Sequence, residues 1–242
     1  MIILGSLLPS YTDTELAQTL QSFNYDHAEL KSGNKCRPFV MVKSTCTLML
    51  FLMNAFMFYT WPLSILVRQV TCWANLLTFT QLAISLYCSV MLDSSTIGKA
   101  RKTLATHHAL FEVIVPINLM VTAVYWILLS DEVLLNMHSA EQLSLYLNSI
   151  LVHSIPMIAT LANFCVTDIE FKPSHCIFYV PMCVLYSCLN YYATVTSGKP
   201  VYWFLDWKDH KTVLIIAGLL VAVITSFLFM SWLTKVLRQF RP

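Results

Sequence analysis

Six apolar runs, each long enough to cross a bilayer, decide what this chain can fold into. They lie at roughly 47–67, 70–92, 109–129, 143–166, 176–197 and 213–234, and about 20 apolar residues in a helix cover the ~30 Å of a hydrocarbon core. The chain is 57% hydrophobic and 12% charged, with a mean hydropathy of +0.64, which leaves no room for a separate soluble domain beside them. The expected fold class is all-α: a polytopic membrane protein, a bundle of six transmembrane helices. Residues 1–45 then form an N-terminal segment, 46–235 the membrane domain and 236–242 a tail.

An even number of spans puts both termini on one side of the membrane. Lys31, Lys35, Arg37, Lys43, Lys99, Arg101, Lys102, Lys172, Lys235, Arg238 and Arg241 fall on that side, against only Arg68, Lys199, Lys208 and Lys211 on the other. The positive-inside rule therefore predicts that both termini are cytoplasmic. Ahead of the first span, Thr12 and Glu15 form a capping box, and Leu16, Leu20 and Phe23 share one face. A short amphipathic helix is expected there, lying on the membrane surface or packed on the bundle. The opening MIILGSLLPS lacks a basic n-region, so insertion is expected to rely on the first span.

Several function classes drop out early. A net charge of +2 carried by dispersed basic residues does not fit nucleic acid. The cysteines sit mostly inside the apolar runs, with no C-x-x-C and no histidine cluster, so they read as small hydrophobes, and no metal or cofactor is expected. No carboxylate lies near mid-depth in any span, which argues against a pump. Gly218 and Ala222 make a small-residue pair on the last span, compatible with intrachain packing or a dimer seam, so the oligomeric state stays open.

One ionisable group is central: His153, in YLNSILVHSIPMIATLANF. Thr78 on the second span enters from the same side and lies ~12 Å deep at 1.5 Å per residue, close to the ~15 Å of His153. Asn75, Thr78 and Gln81 form one polar stripe, and Ser149, His153 and Thr160 another, with Pro156 loosening the helix beyond the histidine. Two readings stand. His153 is polar glue between helices while Thr78 bonds its own i−4 carbonyl; or His153 is a general base that activates the Thr78 hydroxyl toward a lipid ester. An apolar setting favours neutral imidazole, the form a base needs.

The order of LLTFTQLAISLY, HALFEVIVPINLMVTAVYWILL, LNSILVHSIPMIATL and YYATVTSGKPVYWFLDW resembles the androgen-induced membrane protein family and its androgen-dependent TFPI-regulating relatives. That family comprises six-span hydrolases of fatty acid esters of hydroxy fatty acids that use a threonine and a histidine. The resemblance covers roughly residues 47–234 and puts the two roles on Thr78 and His153. Where the family has an aspartate shortly after the threonine this chain has Gln81, where it has a second histidine this chain has Ser149, and its paired histidines are Tyr191 and Tyr192 here. The LDWKD segment at 205–209 is closer to the rolling-stone-like membrane proteins.

The expected function is thus an intramembrane, threonine-dependent hydrolase of lipid esters, resident in the endoplasmic reticulum or plasma membrane. Its partners are the lipid substrate and the bilayer. Thr78 is the nucleophile and His153 the base; Asn75, Asn148 and Ser154 are candidate oxyanion donors, and Gln81, Ser149 and Asp206 candidate substrate contacts. Asp206 is expected to salt-bridge Lys208 or Lys211, or to hold a donor that orients His153. Tyr202, Trp203, Phe204 and Trp207 suit a cap over the bundle mouth or a belt at the headgroups. The alternative is a non-enzymatic multi-pass protein acting in adhesion, signalling or lipid binding.

Overall fold

The computed structural model describes residues 38–91, 97–131, 140–167 and 169–239, together with Thr12 and Thr14. The amphipathic segment expected at 12–23 otherwise lies outside them. In chain order the elements are α1 (Pro38–Thr60), a single turn α2 (Leu63–Leu66), α3 (Val70–Met91), α4 (Ile97–Val124) running into a π turn (Tyr125–Leu129), α5 (Ala140–Val166), a 3-10 turn (Pro173–Phe178), α6 (Tyr179–Ser197) and α7 (Lys211–Gln239). No strand occurs among the described residues.

Six helices are long and apolar enough to span a membrane. Their lipid-facing sides carry Leu48, Phe51, Leu52, Ile158, Val184, Leu214 and Phe229, all exposed, an apolar surface far larger than a soluble monomer tolerates. The protein is an integral, multi-pass, all-α membrane protein.

Two spans begin earlier than the apolar runs suggested. α1 starts at Pro38, so Lys43 lies inside the helix, fully buried, its Nζ donating to Ser89 Oγ at 2.8 Å. α4 starts at Ile97 and carries His107 and His108 into the protein, both buried. Hydropathy alone misses such helix ends, because a long charged side chain can be accommodated wherever a partner satisfies it. The boundary expected at residue 46 accordingly falls within α1.

α3 is the central element. It packs on α1, α4 and α5, whereas α6 rests mainly on α7, and α7 on α4. One side of α3 closes a core of Leu50, Met53, Met57, Leu66, Cys72, Leu82, Val152 and Ala159. The other belongs to a second core around Phe111, Val115, Phe164, Phe171, Tyr179 and Phe227. Between α6 and α7 the chain turns at Gly198, whose φ of +67° ends α6 in the left-handed conformation that glycine adopts without strain.

Candidate active site

His153 is fixed by its own helix. Its Nδ1 lies 2.7 Å from the Ser149 carbonyl one turn back. A carbonyl only accepts, so Nδ1 carries the proton and Nε2 of the neutral ring presents its lone pair. That lone pair faces Thr71 Oγ1 at 3.1 Å, making the threonine hydroxyl the donor. Tyr125 stacks flat on the imidazole, with ring centroids 4.0 Å apart and planes within 7°. The ring is buried and stands at the first residue of the π turn, where the helix widens to hold it. Thr122 Oγ1 donates to the His153 carbonyl at 2.7 Å, tying α4 to α5 at this level.

Thr78 is not the partner of His153. Its hydroxyl donates to the Ala74 carbonyl at 2.6 Å and accepts from Asn118 Nδ2 at 2.9 Å. The same amide reaches Thr160 Oγ1 at 2.8 Å, so Asn118 bridges α3, α4 and α5 with both its hydrogens. The depth arithmetic fails because the two parallel helices do not begin in one plane. α5 starts at Ala140, thirteen residues before His153, whereas α3 starts one residue before Thr71; α5 therefore protrudes by about 18 Å. Thr71 and Thr78, seven residues apart, share a face, and the register selects the outer one.

The other expected residues scatter. Asn75 turns to α1, with its Nδ2 3.5 Å from Met57 Sδ. Gln81 lies deeper, bonded to His107 Nε2 at 3.1 Å and accepting from Asn163 Nδ2 at 3.3 Å. Asn148 and Ser154 are half-buried, and neither lines the cavity described next. Ser149 contributes its carbonyl. Asp206 does not orient His153: its Oδ1 accepts from the Lys208 backbone at 3.1 Å and from Thr212 Oγ1 at 3.4 Å, and Lys211 pairs instead with Asp209 at 3.5 Å. The ring is oriented from within α5.

Thr71 and His153 open onto a cavity of about 180 Å³. Its walls are apolar: Ile117, Met120 and Val121 of α4, Met182 and Leu185 of α6, and Leu219 and Val223 of α7. The connection between α6 and α7 covers its end. A turn closed by Leu205 N to Tyr202 O at 2.9 Å points Tyr202, Phe204 and Leu205 inward and leaves Trp203 outside, 56% exposed. Trp207 follows with a left-handed φ of 59°, a strained position for a bulky residue. Trp207 Nε1 donating to Asn190 Oδ1 at 2.8 Å, and its backbone N–H donating to Thr212 Oγ1 at 3.1 Å, hold it there. The Tyr202 hydroxyl interacts with the side chains of Tyr186 and Thr71 and with the Val70 backbone, and burial pushes this phenol well above its usual range.

A second polar region lies toward the other membrane face. Glu112, buried, accepts from Lys172 N and His175 Nδ1, both at 2.7 Å, and the Tyr179 hydroxyl caps its carbonyl at 2.8 Å. This carboxylate fastens the turn before α6 onto α4.

The chain matches no model of a known protein family, no curated protein and no solved structure.

Proposed function

We propose that the protein is an intramembrane hydrolase of long-chain lipid esters in which Thr71, rather than Thr78, is the nucleophile and His153 the general base. The observation that carries the reading is the directed hydrogen-bond chain Thr71 Oγ1–H to His153 Nε2, with His153 Nδ1–H to Ser149 O, opening on an apolar cavity. A hydroxyl, a base in the correct tautomer and a group orienting that base are the elements of a nucleophilic acyl-transfer site. Here a backbone carbonyl takes the orienting place.

Thr71 Oγ adds to the ester carbonyl carbon as its proton passes to Nε2. The bond to the alkoxy oxygen then breaks, and that oxygen takes the proton from His153. Water next adds to the acyl group on Thr71, giving a proton to His153, which returns it to Thr71 as the acid leaves. The apolar walls receive the acyl chain. The resemblance suggests fatty acid esters of hydroxy fatty acids as substrates and the endoplasmic reticulum or plasma membrane as the site of action.

The test is turnover of such an ester by purified protein, with covalent labelling by a fluorophosphonate. Labelling at Thr71, lost in His153→Ala, is the expected result. A folded protein that neither labels nor hydrolyses, yet retains long-chain lipid, would make the cavity a binding site and support the non-enzymatic alternative.

A further inference from the structure

A tetrahedral adduct on Thr71 carries a negative oxygen that needs a fixed donor. Asn75, Asn148 and Ser154, the donors expected from the sequence, stand away from the cavity wall. We propose that the Tyr202 hydroxyl is the oxyanion donor, a catalytic residue delivered to Thr71 by the connection between α6 and α7. This assignment rests on the ester-hydrolase reading.

Tyr202 lines the cavity together with Thr71 and His153, and its hydroxyl interacts with the Thr71 side chain. In the adduct, Thr71 Oγ and the oxyanion are bonded to the same carbon. A hydroxyl that shares the cavity wall with Thr71 is therefore on the side where the oxyanion forms, and such contacts tighten as charge develops. Thr71 donates to Nε2, and the neighbouring phenol, Tyr186, donates to the Arg68 carbonyl at 3.3 Å while accepting from Asn190 Nδ2 at 3.4 Å.

The donor is also held in place before any substrate arrives. Tyr202 stacks on Phe204 with centroids 5.5 Å apart and planes within 18°, and the turn bond to Leu205 closes over it. The strained Trp207, tied to Asn190 and Thr212, anchors the downstream end. Rigid placement is what distinguishes an oxyanion donor from a mobile surface phenol. Burial keeps the phenol protonated, so it donates a hydrogen bond without giving up its proton. As Thr71 Oγ bonds to carbon, the carbonyl π pair moves onto oxygen and Tyr202 O–H binds it. Collapse of the adduct returns that pair and releases the bond.

The assay uses the full chain in nanodiscs, a long-chain 4-nitrophenyl ester as substrate and a long-chain trifluoromethyl ketone as tetrahedral mimic. Tyr202→Phe is expected to lower kcat by about 10²–10³-fold at nearly constant KM. Ketone affinity should fall by the same factor as kcat/KM. Should Tyr202→Phe not fold, 3,5-difluorotyrosine at position 202 keeps ring and hydroxyl while making the phenol more acidic. The alkaline loss of kcat should then move to lower pH. Wild-type kcat in Tyr202→Phe, a change in KM alone, or an unmoved pH profile in the fluorinated protein overturns the assignment of Tyr202 alone. Absence of both turnover and ketone binding in the wild type overturns the hydrolase reading with it.

Discussion

Replacing Thr71 and Thr78 separately by alanine discriminates between two hydroxyls that share one helix face. Thr78→Ala removes the acceptor for one Asn118 hydrogen, at 2.9 Å, while the other stays on Thr160 at 2.8 Å. An interhelical side-chain hydrogen bond in a membrane contributes about 0.6 kcal/mol on average and about 1.7 at most. For a chain of this size each kcal/mol moves the melting temperature by about 2–4 °C, so the expected shift is a loss of about 1–7 °C. Thr71→Ala also removes one interhelical bond, the 3.1 Å contact to His153, and should lower stability by a similar amount. Stability does not separate the two variants; turnover does. Thr78→Ala should retain ester hydrolysis, whereas Thr71→Ala should lose it by a factor on the order of 10⁶, the cost of deleting the nucleophile of an acyl-transfer site. Thr71→Ser keeps the oxygen and part of the rate. Combining Thr71→Ala with His153→Ala should cost little more than either change, since groups acting as one unit are strongly non-additive. Initial rates in nanodiscs, beside thermal unfolding of the same samples, read both quantities. A folded Thr78→Ala without activity, next to an active Thr71→Ala, would refute the reasoning.

Epitopes on Met1 and Pro242 should both be reached from the cytoplasm under selective permeabilisation, and one between Lys199 and Lys208 only from the opposite side. His175→Ala strips Glu112 Oε2 of its 2.7 Å partner while Lys172 N still serves Oε1; equilibrium unfolding should show a loss of about 1–3 kcal/mol, with ester turnover intact. Because burial raises the Tyr202 phenol above its ordinary 10.0, the folded state favours the protonated form. That contribution is complete below pH ~10, the unfolded value, and is lost as pH rises from there through the folded value. Tyr202→Phe should therefore flatten the alkaline limb of a stability profile.

Span number and fold class were legible because they depend on length and apolar content, which a linear reading measures directly. His153 was legible as well: an imidazole amid apolar neighbours stands out without any partner. Its partner was not. Pairing Thr71 with His153 depends on how far α5 protrudes past α3, an axial offset that no hydropathy window records, and sequence depth therefore selected Thr78. Both threonines lie on one helical face, seven residues apart, and that spacing was the available signal. Tyr125 was hidden differently, since a π turn has the same apolar texture as the helix around it. Lys43, His107 and His108 lie beyond the ends of the apolar runs because polar side chains lower the local hydropathy, although each sits within a helix. Of the connection between α6 and α7, the aromatic content suits a cap and a headgroup belt alike, and only the Tyr202–Leu205 turn shows which rings face inward.

The wide turn at Tyr125–Leu129 behaves as one surplus residue in an otherwise regular helix. Excising a single residue from 126–128 would let the segment relax to ordinary α geometry and rotate what lies on one side of it by ~100° relative to the other. Held by its packing in the bundle, α4 would have to swing either Tyr125 off the imidazole or Ser130 and Asp131 out of register. A point substitution changes one side chain; this deletion would leave every cavity-lining residue in the sequence and still unseat the ring that faces His153. The stretch is therefore where the chain should be least tolerant of length change, while remaining permissive about which apolar side chains fill positions 126–128, all exposed to lipid.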